Sequence, residues 1–331
     1  MRVLLSLAEL VRKRYPTIII TTVVFGLLLG LKTTAPGRAL QAYSQWITFL
    51  MILFISFTIT PRQFLQVSKQ PGAVATGLLL NFVFMPLVCW ALARLLVDEP
   101  QLATGIILVG VVPCAGMAAV WIALLKGDVP LGMAINALTM VFGPFLIPPL
   151  MALLAGSSVS IDPGSMFRQL AVILLLPLVL GIGLRWLIDK RWNAQPIVPI
   201  FPSLSALMAV LLMFTVTNVN VPLIVDRWEL APTLLLATVL IFPLGFLVPF
   251  WLTRPVFGWK QRIAITYSSG MKNLPIAVGL AFVSFRGQPL VGLPVALAFI
   301  VQMLTASLFY RYLNGRREAT EKPSVGLPAS G

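Results

Sequence analysis

Runs of about 20 mostly apolar residues recur along almost the whole chain, and they restrict its fold more than any other feature. An α-helix of that length crosses the roughly 30 Å of hydrocarbon in a bilayer. The 331 residues are 59% hydrophobic and only 10% charged, whereas about 25% of the residues of soluble domains are charged. The sequence therefore predicts an all-α integral membrane protein whose main surroundings are lipid.

Ten transmembrane helices are predicted, here called predicted helices 1 to 10. Their spans are 17–31, 43–60, 72–97, 101–125, 131–155, 167–188, 200–219, 229–253, 257–285 and 290–313. Residues 1–15 place Arg12, Lys13 and Arg14 between a short apolar stretch and Pro16, which predicts a cytoplasmic interfacial helix. Residues 314–331 are charged and then rich in Pro, Gly and Ser, which predicts a disordered cytoplasmic tail.

Orientation follows from the distribution of Lys and Arg, because cytoplasmic segments retain positive charge during insertion. The two termini and the loops on their side carry 17 basic residues, against 6 on the other side. Both termini are therefore expected in the cytoplasm, with the protein in the plasma or inner membrane. The net charge of +14 is explained by this topology and by anionic lipid headgroups, and does not indicate nucleic-acid binding.

An internal repeat relates the two halves of the chain. Matches at an offset of 157 residues are 50–51 with 207–208, 57–60 with 214–217, and Pro86 with Pro243. Gly116-Met117 and Gly270-Met271 match at an offset of 154. Each repeat, 16–155 and 165–313, holds five helices. Because five is odd, the second copy enters the membrane from the opposite side, which makes an inverted repeat.

Inverted repeats favour a carrier with one central site that is exposed alternately to each side. Corresponding helices interrupted by Gly or Pro point to that site, and predicted helices 4 and 9 fit. We expect breaks at Pro113 to Gly116 and at Gly270 to Pro275, whose freed backbone groups could hold an anion. Pro and Gly can also kink helices merely for packing, but their placement in matching helices argues for a functional break.

Lys272 is the only ionisable residue predicted deep in the bilayer, since every Asp and Glu falls in or beside a loop and there is no His. A charge within the membrane is by default a functional hypothesis. Two interpretations stay open. The amine replaces a bound cation and couples transport to protons by losing its own, or it is a structural lysine held by backbone carbonyls.

The same two helices carry a family resemblance. Pro113-Cys114, Met117, Val120-Trp121 and residues 126–128 resemble the arsenite permease signature, and residues 269–273 resemble a symporter signature. The ten-helix body as a whole resembles the bile acid:sodium symporter superfamily, in or near its arsenical-resistance branch of arsenite efflux permeases. The resemblance implies a core domain in which discontinuous helices 4 and 9 cross, and a panel domain of helices 1, 2, 6 and 7, with substrate between them.

The resemblance also implies where sodium ligands would stand, and this chain departs at most of those places. Ala118 and Ala119 replace a Ser-Asn pair, Ser268 replaces a Glu, and Lys272 replaces a Gln. The predicted helix 5 positions fall on Gly132 and Asn136. Alanine and glycine offer no side-chain oxygen to a hard cation. Both sodium sites are therefore expected to be lost, with a proton as the coupling ion.

Cys114 matches the cysteine of the arsenite permeases, which suggests a contact between thiolate and metalloid; a lone membrane cysteine can instead be a packing residue. Asn81 is a weaker candidate for the cavity wall. The predicted substrate-binding residues are Cys114, Gly116, Asn136, Ser268, Ser269 and Asn273, with Lys272 for ion coupling and Pro113, Gly270 and Pro275 at the helix breaks.

No motif for an enzyme, a cofactor or a metal is present in the sequence. The helices lack the repeated polar faces of a channel. The favoured function is a secondary transporter that exports arsenite or a similar oxyanion without sodium. The alternative is a symporter of a small organic anion coupled to sodium or protons. Whether the protein is a monomer or a dimer stays open.

Overall fold

The computed structural model describes residues 2–60, 68–156, 161–192 and 194–321, and within these the regular secondary structure is helical, with no β-strand. The helices in chain order are α1 Arg2–Gly30, α2 Ala35–Gln41, α3 Ser44–Ser56, α4 Pro71–Leu96, α5 Pro100–Val111, α6 Ala118–Leu124, α7 Val129–Ala155, α8 Pro163–Arg191, α9 Ile200–Asp226, α10 Trp228–Leu252, α11 Trp259–Gly270, α12 Leu274–Ser284 and α13 Gly292–Glu321.

Within the described residues, six helices are long and apolar enough to cross a membrane, namely α4, α7, α8, α9, α10 and the helix over Pro289–Gly315. A seventh span results if Thr17–Gly30 and Ala35–Gln41, which meet at a 119° bend, are counted as one. Other predicted spans fall on shorter apolar helices, α3, α5 and α12. The protein is thus a multi-pass, all-helical membrane protein.

Two predicted boundaries are wrong. The predicted interfacial helix and the first span are one continuous helix, because Pro16 does not interrupt α1 between Arg2 and Gly30. At the other end, α13 continues to Glu321, so the first part of the predicted disordered tail is helical. Residues 322–331 of that tail lie outside the described residues.

The helices pack in two groups. In the first, α9 packs on α1, α2 and α3, and α3 also packs on α8. In the second, α4 packs on α5 and α10, and α11 packs on α6, α7 and α10. The first group contains the helices expected in a panel domain, and the second contains those expected in a core domain.

Close contacts within the panel group depend on glycine. A side chain at Gly26 or Gly30 of α1 would overlap α9. At the bend between α1 and α2, the Asn218 side chain accepts from the Gly37 N–H at 3.0 Å and donates to the Thr33 carbonyl at 3.2 Å. Small residues and a buried amide thus bind the bent N-terminal segment to α9, as expected for helices packed in lipid.

The outer surface is apolar along the helices, as a lipid-facing surface must be. Large hydrophobic side chains that point outward include Leu28, Leu95, Leu153, Val179 and Leu308. Contiguous apolar exposure on this scale is not found on soluble monomers.

Candidate functional site

The two interrupted helices meet at the centre of the core group. The chain between α5 and α6 is non-helical from 112 to 117, and the chain between α11 and α12 from 271 to 273. The Ala115 N–H donates to the Met271 carbonyl at 2.9 Å, and the Asn273 N–H donates to the Pro113 carbonyl at 2.8 Å. Backbone groups freed at each break therefore form hydrogen bonds with backbone groups of the other break. Inside a membrane, such groups need a partner within the protein.

Cys114 and Lys272 lie opposite one another in this antiparallel bridge. They are 158 residues apart, the difference between 272 and 114, which is close to the offset of 157 found between the sequence matches of the predicted repeat. In the sequence, Gly116 aligned with Gly270 at an offset of 154. The residues paired in the bridge, Cys114 and Lys272, do not have that offset. Gly270 ends α11 before the bridge, whereas Gly116 follows it, and Pro275 lies in the first turn of α12, where a missing N–H costs nothing.

Side chains from neighbouring helices hold the bridge in place. Asn136 of α7 donates to the Cys114 carbonyl at 2.8 Å, and Thr139 accepts from the Cys114 N–H at 3.2 Å. Gln302 of α13 accepts from the Lys272 N–H at 2.7 Å and donates to the Lys272 carbonyl at 3.1 Å. These hydrogen bonds fix both strands of the bridge relative to α7 and α13.

The Lys272 side chain is fully buried and points into a cluster of oxygen atoms. Its Nζ donates to the Asn81 backbone carbonyl at 2.9 Å, to the Asn81 Oδ1 at 2.9 Å and to the Val112 carbonyl at 3.2 Å. Three acceptors match the three N–H donors of an ammonium group. The Val112 carbonyl follows the C-terminal end of α5, where the helix dipole also favours a cation.

A π-helical turn in α4 makes this contact possible. Within residues 80–84 the hydrogen bonding is wider than in an α-helix, so the Met85 N–H donates to the Leu80 carbonyl. The Asn81 carbonyl, which would accept that N–H in an α-helix, is then available to Lys272. Pro86, which cannot donate a backbone hydrogen bond, follows the turn directly.

A cavity of about 390 Å³ lies between the two helix groups beside the bridge. Its wall is mostly apolar, with side chains such as Met51, Ile55, Met117, Phe299 and Met303. Polar groups are few: the wall includes Thr58, Asn136, Ser205, Asn273 and Gln302, and no Asp or Glu among the described residues.

Five of the residues predicted for the site line this cavity, namely Gly116, Asn136, Lys272, Asn273 and Pro275. The other five do not. Cys114, Ser268 and Ser269 are fully buried behind the bridge, and Pro113 and Gly270 are packed inside the core. The Ser269 hydroxyl donates to the Ile265 carbonyl of its own helix at 2.8 Å, which is a packing role.

Three further residues of this region differ from the sequence expectations. Asn81, considered for the cavity wall, is instead the partner of Lys272, and it also donates to the Ser268 carbonyl at 2.9 Å. Gln302 and Thr139 were not identified as parts of the site. A glutamine within an apolar helix is a usable signal, because its amide needs partners in the membrane.

The positions that would hold sodium in the family pattern offer few ligands here. Ala118 and Gly132 are buried without side-chain oxygens, and the Ser268 hydroxyl lies near Gly132 with no hydrogen-bond partner. Among the described residues, no cluster of three or more His, Cys, Asp or Glu could hold a metal ion. The three oxygens nearest the Lys272 Nζ are already bound to it.

Interrupted helices that meet beside an apolar cavity in a multi-pass helical protein are found in many secondary transporters. The sequence matches the model of the Sodium Bile acid symporter family over residues 46–227, which is more than half of the chain. The protein therefore belongs to this family and is a transporter, not an enzyme.

Curated relatives agree with this placement. An uncharacterized protein YbaS of Bacillus subtilis is 26% identical over 305 residues, which cover 90% of this chain and 96% of that protein. An uncharacterized sodium-dependent transporter YocS of the same species is 25% identical over 287 residues, covering 83% and 86%. A probable chloroplastic sodium/metabolite cotransporter of rice, BASS2, is 26% identical over 312 residues, covering 93% and 70%.

Proposed function

We propose that the protein is a secondary transporter that moves a small organic anion by alternating access and needs no sodium. The cavity beside the bridge carries this proposal. It combines about 390 Å³ of mostly apolar wall with a buried lysine and no acidic side chain. Such a site suits a ligand with an apolar body and one negative group, because charges attract strongly where water is excluded.

The ten-helix inverted repeat is part of the proposal. Its support is the bridge itself, in which equivalent segments of the two repeats exchange one hydrogen bond each way. Two related halves joined by such a bridge can rock relative to one another, and the cavity would then face each side in turn.

The proposed independence from sodium rests on Lys272. Its Nζ contacts three oxygens at 2.9 to 3.2 Å, and those oxygens are the kind of ligands that a sodium ion would need. The ammonium thus supplies a positive charge that the relatives named as sodium-dependent would obtain from solution. All three N–H groups of the ammonium have an acceptor in this conformation. Coupling to protons would require Lys272 to leave these acceptors during the cycle.

Arsenite efflux, the other function predicted from the sequence, receives less support. A thiolate contact would need Cys114 at the cavity wall, but its side chain is fully buried and its Sγ lies 3.4 Å from the Ala115 carbonyl oxygen. The cavity is also large and apolar for a small hydroxylated metalloid. The geometry therefore favours an organic anion.

Counterflow in proteoliposomes tests the proposal. Vesicles loaded with unlabelled pyruvate, benzoate, taurocholate or arsenite are diluted into the same labelled compound, with potassium or sodium as the only cation. We expect accumulation of at least one organic anion at equal rates in both salts. Empty liposomes, and liposomes with protein heated to unfolding, are the controls.

Two outcomes would contradict the proposal. Accumulation that requires sodium would show that the ion sites are intact, and accumulation of arsenite alone would restore the metalloid function.

A further inference from the structure

A second cavity, of about 430 Å³, lies at the other end of the boundary between the helix groups. It is formed by the start of α3, the first turns of α8 and the chain that follows α12. Its lining residues are Gln45, Ser165, Arg168, Gln169, Val172, Ile173, Val283 and Arg286. We call it the vestibule.

The vestibule and the transport cavity share two helices and use opposite ends of them. On α3 the transport cavity is lined by Met51 and Ile55, and the vestibule by Gln45. On α12 the transport cavity is lined by Ile276, and the vestibule by Val283. The vestibule is therefore on the side of the protein away from the transport cavity.

A tight contact separates the two cavities. Gly279 of α12 lies against the fully buried Thr48 of α3, so closely that a methyl group at Gly279 would overlap the threonine side chain. Thr48 is one turn from Gln45, and Gly279 is one turn from Val283. The vestibule thus lies one turn beyond this contact along both helices.

The vestibule is positively charged. Arg168 and Arg286 line it with exposed side chains, and no Asp or Glu is among its lining residues. The nearest acid along α8, Asp162, accepts hydrogen bonds from the Gly164 and Ser165 N–H groups at 3.1 and 3.0 Å, so its carboxylate is engaged at the helix start. In the rest of the wall, Gln169 has a buried Oε1 without a hydrogen-bond partner, and its Nε2 donates a long hydrogen bond of 3.5 Å to the Ser165 hydroxyl, which an anion could replace.

We propose that the vestibule is a second binding site, which takes the carboxylate or sulfonate group of an organic anion between Arg168 and Arg286. Guanidinium groups bind such anions through paired N–H donors. The amide of Gln169 would complete the site by turning its NH₂ group toward the anion. Opening of the Thr48 and Gly279 contact would then let the anion pass to the transport cavity. That last step rests on the function proposed above, but the binding itself does not.

Thiol labelling of Ser165→Cys in detergent tests the site without any transport measurement. The native cysteines, Cys89 and Cys114, are both buried, so the parent protein serves as the blank. The rates of modification by an anionic and by a cationic methanethiosulfonate are compared. We expect the ratio of the anionic to the cationic rate to fall roughly fivefold or more in the variant that also carries Arg168→Gln and Arg286→Gln. Arg254→Gln, an exposed arginine outside the vestibule, is the matched control.

Binding is measured by protection of the same thiol. Benzoate should slow the anionic reagent and neutral benzamide should not, and the effect of benzoate should disappear in the double arginine variant. An unchanged rate ratio, or equal protection by benzoate and benzamide, would overturn the proposal. Val172→Cys provides a second reporter if Ser165→Cys does not fold.

The two proposals can fail separately. Protection by benzoate without counterflow of any organic anion would leave the vestibule in place and reject the transport proposal. Counterflow without protection would do the opposite.

Discussion

At Lys272, a single side chain carries a positive charge into a region where the described residues place no acid beside it. Burying a charge is costly unless hydrogen bonds compensate, and here three oxygens do so. A substitution that removes the amine leaves those oxygens without donors, at a cost of about 1–3 kcal/mol for each buried group. Lys272 should therefore matter for stability as well as for transport.

We predict that Lys272→Gln converts the carrier to one that depends on sodium, because removal of the ammonium frees the oxygens for a cation and the glutamine carbonyl offers a further oxygen ligand. Counterflow should fall roughly tenfold in potassium and recover in sodium. Lys272→Met, which removes the charge and offers no polar atom, is the matched control and should stay inactive in both salts. Equal activity of Lys272→Gln in the two salts would contradict the proposal that the Lys272 ammonium takes the place of a sodium ion. Loss of any pH dependence in Lys272→Ala would instead favour coupling through this amine.

For Cys114 we predict inertness. Since the thiol is fully buried and outside the cavity wall, Cys114→Ser should retain transport of organic anions within about twofold, because a buried thiol behaves as a small packing residue. Gly116→Leu is the contrasting variant, because Gly116 lines the cavity opposite Ile55, whose Cδ1 would lie 3.8 Å from an added Cβ, and a large side chain there should block transport. A large loss of transport in Cys114→Ser, with normal thermal stability, would show that Cys114 is part of the substrate site.

Residue identities alone predicted only part of this site. Lys272 and Asn136 could be identified because a charge or an amide in the membrane must have partners. The partner Asn81 could not, because it is 191 residues away and its carbonyl becomes available only through the π-helical turn. Whether Cys114 faces the cavity or the core depends on the direction of the bridge, which the local sequence does not encode.

At the scale of elements, α3 and α12 meet in a tight contact between Thr48 and Gly279. We predict that Gly279→Ala disfavours this closed arrangement, because the added methyl group overlaps Thr48. The thiol of Ser165→Cys should then react at a different rate, and a second change, Thr48→Ala, should partly restore the original rate. Gly183→Ala, which has open space around it, is the matched control. Identical labelling in Gly279→Ala and Gly183→Ala would show that this contact is not a gate.

The existence of the helices could be predicted from the sequence more accurately than the residues at which they begin and end. Pro113 and Gly270 indicated interrupted helices, and the helices do stop at Val111 and Gly270. Pro16 was expected to separate two helices, yet α1 continues through it. A proline removes only one backbone donor, so whether a helix breaks there depends on the packing around it, which tertiary structure decides.

For the molecule as a whole, the transport cavity is predicted to face the cytoplasm in this conformation. Its wall contains Tyr15 of α1 and residues 58–59, which lie on the side that carries 17 of the basic residues. In intact cells, Val120→Cys in the cavity should react only with a permeant thiol reagent, whereas Ser165→Cys in the vestibule should also react with an impermeant one. The reverse pattern would show that the predicted topology is inverted. Equal reaction of both variants with the impermeant reagent would show that the transport cavity does not open to the cytoplasm alone.

The hydrogen bonds that hold the Lys272 ammonium on Asn81 of α4 have an energetic consequence for the cell. Because a covalently attached ammonium cannot leave with the substrate, no ion would move down its gradient to drive uptake, and the anion would cross with its own charge uncompensated. Moving one charge through the membrane potential is worth about 2.3 kcal/mol per 100 mV. Across a membrane that is negative inside, that work favours departure of the anion from the cytoplasm, so the proposed transporter, with Lys272 as its resident cation, would act as a voltage-driven exporter.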